Sequence, residues 1–174
     1  MHKQHDCYVP ELVFGHLLTS SNYDDNEKKV TGGRNGFGAK LTNIFSKKFI
    51  VECADTKKKK LYVQEFSNNL SNIGKPKITE YSYESDYTMI TYEPDLKRFG
   101  IKELKDDMVA LLMKRVYDLA GISPKKVSVY LNGKKITKVS DFLSYVDLYF
   151  PDNKIPSEKF YERCSERWEI CVVV

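Results

Sequence analysis

The chain has 174 residues, 28 of them basic and 24 acidic, for a formal net charge of +4. That length suits one domain, or one domain with a fragment of a second, and the mild positive excess permits a polyanionic partner without demanding one. Apolar residues make up 41% of the chain, enough for a real core, yet no segment approaches the roughly 20 consecutive apolar residues that span a bilayer, so no membrane partner is expected.

The start, Met1-His2-Lys3-Gln4-His5-Asp6, has no apolar h-region and does not read as a secretory signal, so an intracellular protein is expected. Cys7, Cys53, Cys164 and Cys171 form no C-x-x-C pair and have no histidine at metal-motif spacing. They read as free thiols, and no metal ligands are expected.

In chain order, the spacing predicts a first helix over Tyr8 to Thr19, with Leu12, Val13, His16 and Leu17 near i, i+4 intervals and Pro10 in the first turn. Ser20 to Val30 is polar and acidic and reads as loop, running into the glycine-rich turn Thr31 to Asn35. A second helix is expected over Phe37–Lys47, with Phe37, Leu41 and Phe45 on one apolar face joined by Ile44. Phe49-Ile50-Val51 and Leu61 to Phe66 are strand candidates, with Lys57 to Lys60 at or between their ends.

Ser67 to Lys77 reads as loop. Ile78 to Tyr83 and Tyr87 to Tyr92 read as a hairpin turning at Glu84-Ser85-Asp86. The strongest helix runs from about Ile101 to Ala120, striped by Ile101, Leu104, Met108, Leu112, Val116 and Leu119 and capped at Gly121. Val127, Val129 and Leu131 alternate into an Asn132-Gly133 turn. A short helix follows over Asp141 to Phe150, then an apolar strand carrying Trp168, Ile170, Val172 and Val174.

The chemistry concentrates in Gly32-Gly33-Arg34-Asn35-Gly36-Phe37-Gly38-Ala39-Lys40. This is not a P-loop, because Ala39 separates Gly38 from Lys40 and Leu41 replaces the Ser/Thr; nor is it a G-x-G-x-x-G fingerprint. It still carries what a phosphate needs. Glycines admit close backbone approach, Arg34 and Lys40 supply charge, Asn35 can donate, and the segment feeds a helix start. The bland alternative is a glycine-rich connection with incidental basic residues. Ser20-Ser21-Asn22 forms a second polar knot, which alone reads as a turn. Asp24-Asp25 reads as a solvated acidic loop more readily than as a metal site, and Lys57 to Lys60 as a solvated hairpin end.

The order of these pieces is far more specific than any one of them. Y-V-P-E-L-V-F-G-H-L-L-T-S-S-N-Y-D-D (Tyr8–Asp25) followed by K-K-V-T-G-G-R-N-G-F-G-A-K-L (Lys28–Leu41) resembles the ATP-binding domain of eukaryotic-type DNA topoisomerase II, of the GHKL class. The likeness continues through Asn43 to Ser46, Asp107 to Gly121, Val129 to Gly133, Ser144 to Tyr149 and Arg167-Trp168-Glu169, and is weakest between Thr56 and Glu84.

The resemblance implies an α/β fold, a partial two-layer sandwich of GHKL (Bergerat) type. Its sheet would be mixed but mostly antiparallel, with helices on one face. Residues 1–138 would be the C-terminal part of the ATP-binding domain with its ATP lid, and 139–174 the connecting helix and first strand of a transducer domain. Ser20, Ser21 and Asn22 would contact the sugar and phosphate side of ATP. Gly33, Arg34, Asn35, Gly36, Phe37, Gly38, Ala39 and Lys40 would wrap the triphosphate. Phe37 stands where the family often has Tyr.

The family's water-orienting Glu, its Mg²⁺-holding Asn and its adenine-reading D-x-G-x-G turn have no counterpart before Tyr8. The chain therefore resembles the middle of an ATPase, cut at both ends, and Mg²⁺ would find its protein ligand outside it. The implied parent is nuclear and homodimeric, acts on double-stranded DNA by ATP-dependent double-strand passage, and is inactive when reduced to this piece. Two alternatives stand beside this reading: another GHKL ATPase of chaperone or mismatch-repair type, and a non-enzymatic basic nucleic-acid-binding module using Lys47-Lys48 and Lys57–Lys60.

Overall fold

A computed structural model describes residues 5–24, 26–27, 33–150, 154 and 158–173. The chain divides into two compact units, Met1–Lys102 and Glu103–Val174.

The first unit is a helix layer on an antiparallel sheet. Strands β1 (Ser46–Asp55), β2 (Lys60–Ser67), β3 (Asn72–Ile73), β4 (Lys77–Glu80) and β5 (Tyr87–Pro94) form one sheet. Its order is β3-β2-β1-β5, with β4 also on β2, and every described pairing is antiparallel. The two-residue side-chain period puts Phe49 and Val51 on one face of β1, opposite Phe66 and Gln64 of β2. Phe49, Val51, Tyr62 and Phe66 make the buried cluster, and Tyr8 and Phe14 pack on it from helix α1 (Val9–Gly15) and its N-cap. The Phe14 and Phe49 rings lie 6.1 Å apart and the Tyr8 and Tyr62 rings 5.6 Å apart. Helix α2 (Gly38–Ile44) packs beside α1.

Four expectations for this unit change. The first helix stops at Gly15 instead of Thr19, because Leu18 turns to a left-handed φ of 58° and the Thr19 hydroxyl caps the Leu12 and His16 carbonyls, each at 3.1 Å. Helix α2 is only seven residues long, since β1 has begun by Ser46. The expected hairpin of Ile78–Tyr83 with Tyr87–Tyr92 does not form. Instead β4 pairs with β2 and β5 with β1, on opposite sides of the β1–β2 hairpin. The connecting segment crosses that hairpin's tip. Tyr81 N donates to Lys59 O at 3.0 Å, and Asp86 Oδ1 accepts from Thr56 N at 2.6 Å. Inside the expected loop, Ile73 and Asn72 pair with Phe66 and Ser67, after Asn68, Asn69 and Leu70 take positive φ.

The lysine run sits on that tip and is largely neutralised. Lys58 pairs with Asp55 at 3.3 Å and Lys60 with Glu80, and the pKa of Asp86 is lowered first by its hydrogen bonds from Thr56 and then by the charge of Lys57. Exposed pairs of this kind add little stability, but they remove the concentrated charge that a polyanion would read.

The second unit holds α3 (Asp106–Ile122), a small hairpin of β6 (Tyr130–Leu131) and β7 (Lys134–Lys135), α4 (Phe142–Asp147), and paired strands β8 (Lys159–Arg163) and β9 (Glu169–Val173). The Asn132-Gly133 turn forms as expected, with φ of 50° and 76°. Asp141 caps α4 through a full capping box with Ser144. Strand β8 went unanticipated, since Lys159-Phe160-Tyr161-Glu162-Arg163 shows no clean alternation. Helix α3 starts at Asp106 and not near Ile101, so Leu104 of the expected stripe precedes it; Leu112 and Leu119 are exposed, while Ala120 and Gly121 are buried.

Gly121 therefore lies inside α3 and not past its end, where Ser123 and Pro124 stop the helix. It is the contact point with α4: a Cβ there would meet Tyr145 Cβ at 2.7 Å and Cγ at 2.8 Å. The same turn of α3 carries Asp118. This carboxylate accepts from Lys114 at 2.8 Å, Arg115 at 2.8 Å and the Tyr145 hydroxyl at 2.5 Å. Those bonds, Lys114 first, hold its pKa down at about 2.

Gly121→Val should separate α3 from α4 and cost about 1–3 kcal/mol, as overpacking does, read as a lower thermal midpoint. Asp118 has a folded-state pKa below its ordinary 3.8, so its contribution is present above about pH 4 and lost as pH falls toward 2. Urea unfolding should show the wild-type advantage over Asp118→Asn shrinking through that window; an advantage independent of pH would contradict the assignment.

Candidate functional site

Helix α1 leads into Thr19-Ser20-Ser21-Asn22, and α2 begins with the end of the glycine loop, so both polar segments lie in the first unit, at the joint between its two helices. Gly32, like Lys28 to Thr31, is outside the described residues. Ser20 Oγ accepts from Asn22 N at 3.1 Å, a local turn. From that turn Asn22 Nδ2 donates to Gly33 O at 2.8 Å, and Tyr23 hydroxyl to Asn35 O at 3.4 Å. Two segments eleven or twelve residues apart are thus bonded into one structure.

Gly36 takes a left-handed φ of 66°, and a Cβ there would come within 3.0 Å of Lys40 Nζ and 3.4 Å of Ser20 Cβ. Glycine is required both by the conformation and by the space. Behind it Lys40 is only 2% exposed. Its Nζ lies 3.5 Å from Thr19 O, a long contact. Burial pushes its pKa below the ordinary lysine value, and no acidic group is among the causes. An ammonium withdrawn from water with, among the described residues, one long carbonyl contact favours an anion beside it.

Helix α2 is turned opposite to its apolar pattern. Phe37 and Leu41, expected on the core face, are 40% and 45% exposed, while Lys40 and Asn43 are buried. Asn43 Nδ2 donates to Phe14 O at 3.1 Å, tying α2 to α1, and its Oδ1 is buried without a partner. Sequence reasoning passed over Asn43 and Tyr23. The signal for Asn43 was a polar side chain one helical turn beyond Lys40, on the same face.

The other expected residues are placed as follows. Ser21, Gly33, Asn35 and Gly38 are exposed, while Arg34 and Ala39 are half-buried. A Cβ at Gly33 or Gly38 would meet nothing within 4 Å, so those two glycines leave open space at the loop. The structure brings Ser20, Asn22, Gly33, Asn35, Gly36 and Lys40 together through the bonds and contacts above. It gives Phe37 no inward role. A helix of seven residues has little dipole to offer, so the anion-binding capacity rests on Lys40 and the loop's backbone.

No protein-family model matches the chain. It is 56% identical over 174 residues to a Dictyostelium discoideum protein named "Probable DNA topoisomerase 2", matching 100% of this chain and 11% of that protein. It is 53% identical to DNA topoisomerase 2 of Arabidopsis thaliana and 48% identical to that of Saccharomyces cerevisiae, with 99% and 100% of this chain covered. The chain spans only 12% and 13% of those two proteins.

Among solved structures, the ATPase region of Saccharomyces cerevisiae topoisomerase II superposes with a TM-score of 0.88 at 51% identity, covering 99% of this chain and 45% of that one. The ATPase and transducer domains of topoisomerase II from Balamuthia mandrillaris give 0.85 at 45% identity, covering 99% of this chain and 43% of that one. Along its whole length the chain is thus similar to DNA topoisomerase 2 proteins, and its fold matches part of their ATPase region, of GHKL type.

Proposed function

We propose that this chain supplies the triphosphate side of the ATP site of a type II DNA topoisomerase. The observation that carries the reading is the buried Lys40 ammonium behind Gly36, with no carboxylate bonded to it among the described residues, at the joint between Ser20–Asn22 and Gly33–Lys40. Lys40 would neutralise phosphate charge, and exposed loop amides from Gly33 to Gly38 would donate to phosphate oxygens. Asn22 would hold the two segments in register. Fixed donors in a dry site stabilise a transferring phosphoryl group through electrostatics, the main term in such chemistry.

In this reading Mg²⁺ accompanies ATP, and its protein ligand lies outside these residues. The site's own side chains are hydroxyls, amides and cations, which suit phosphate better than a hard divalent ion. The whole protein would be a nuclear homodimer that binds ATP and double-stranded DNA, closing on ATP and passing one duplex through another. Residues 139–174 would begin the transducer domain. The identities and superpositions support this parent, and nothing comparable supports a chaperone, a mismatch-repair ATPase or a basic binding module. Among the described residues, no helix is long and apolar enough to cross a membrane.

Lys40→Met should raise the thermal midpoint of the ligand-free chain, because it removes a desolvated charge at the expense of one 3.5 Å contact. The same variant should lose the stabilisation that ATP confers on the wild type. In the longer parent, Lys40→Ala should weaken ATP use by about 1.5–3 kcal/mol, the worth of a hydrogen bond to a charged group, or about ten- to a hundredfold. Unchanged ATPase kinetics would remove Lys40 from the site. The 174 residues contain no D-x-G-x-G turn. The purified chain should show no measurable ATP turnover, and sustained Mg²⁺-dependent turnover would contradict that.

A further inference from the structure

Cys7, Glu11 and His16 match no metal motif by spacing, yet helix α1 brings them together. Cys7 stands just before the N-cap, Glu11 lies in the first turn, and His16 is the C-cap. One ligand atom from each, a thiol sulfur, a carboxylate oxygen and a ring nitrogen, lie within 4.8 Å of one another. His16 Nε2 is 3.7 Å from Glu11 Oε1. Zinc bonds of about 2.0–2.3 Å arranged tetrahedrally set ligand-to-ligand edges of about 3.3–3.8 Å, so the His16–Glu11 pair already has that spacing and the three atoms together need to close by about 1 Å at most.

Glu11 is not a loose surface carboxylate. Its Oε2 accepts from Gln64 Nε2 at 2.8 Å, and Gln64 is 1% exposed. That amide is fixed in turn, donating to Gly74 O at 2.9 Å and accepting from the Tyr62 hydroxyl. A buried network thus holds one carboxylate oxygen and leaves the other beside His16, the way outer hydrogen bonds orient metal ligands.

We propose that Cys7, Glu11 and His16 bind a divalent cation of the zinc class, with a water molecule as fourth ligand. Binding would form the metal–sulfur bond and release the Cys7 thiol proton to solvent. Thiolate and imidazole together favour zinc or cobalt over magnesium or calcium. Occupancy would brace α1, whose His16 carbonyl receives the Thr19 hydroxyl at the entrance to the Ser20–Asn22 turn.

Cobalt(II) titration of the reduced 174-residue chain tests this, followed by zinc displacement and a chromophoric chelator in competition. One equivalent of cobalt should give a thiolate-to-metal charge-transfer band and the intense visible bands of a four-coordinate ion, both removed by zinc. Cys7→Ser should abolish the charge-transfer band. His16→Ala, at an exposed side chain that leaves the core untouched, should weaken binding by more than the roughly tenfold lost with an outer hydrogen bond. Absence of the band in the wild type, its persistence in Cys7→Ser, or unchanged affinity in His16→Ala would overturn the proposal.

Discussion

An ammonium group held away from water is the constraint on which the first unit's loops depend. Lys40 is buried, its pKa is pushed down by desolvation, and its one close acceptor among the described residues is a backbone carbonyl at 3.5 Å. A fold selected for stability alone would put an apolar side chain there. Around that ammonium the chain gives up other things as well. Gly36 adopts a left-handed φ, Asn43 leaves a buried oxygen unpaired, and Phe37 and Leu41 face outward. Local rules broken together around one buried charge are the pattern expected where function has displaced stability.

The sheet is what makes this arrangement definite. Phe49, Val51 and Phe66 fix the covered face, Phe14 and Tyr8 seat α1 on it, and Asn43 ties α2 to the end of α1. Because α1 stops at Gly15, the Thr19 carbonyl is free of the helix ladder and turns toward Lys40. Had the helix run to Thr19 as its pattern suggests, the knot at Ser20–Asn22 would start elsewhere and the Asn22–Gly33 bond would not form. A cap formed by one hydroxyl and one positive φ at Leu18 thus sets the position of the Ser20–Asn22 turn.

Most elements were legible in the sequence because their signals are local. The alternation around Phe49 and Val51, the Asn132-Gly133 turn and the long α3 pattern each need only their own residues. What was not legible depends on partners far along the chain. The pairing of β4 with β2, and not with β5, follows from Asp86 and Tyr81 bonding across the β1–β2 tip, and no pattern within Ile78–Tyr92 contains that information. The glycine loop was readable as an anion site from composition, but its working geometry was not. The apolar period of α2 pointed Phe37 inward and Lys40 outward, and the structure has them reversed. The family likeness supplied the right pairing of Ser20–Asn22 with the loop, since spacing gives no reason for segments eleven residues apart to be bonded.

The most direct measurement is the pKa of Lys40 itself, read from its side-chain nitrogen resonance by NMR titration of the 174-residue chain with and without ATP. The buried ammonium should titrate below an ordinary lysine in the free chain and rise when the triphosphate brings negative charge beside it. A Lys40 that titrates normally, or one whose pKa ATP leaves unmoved, would contradict the assignment of this side chain to the phosphate site.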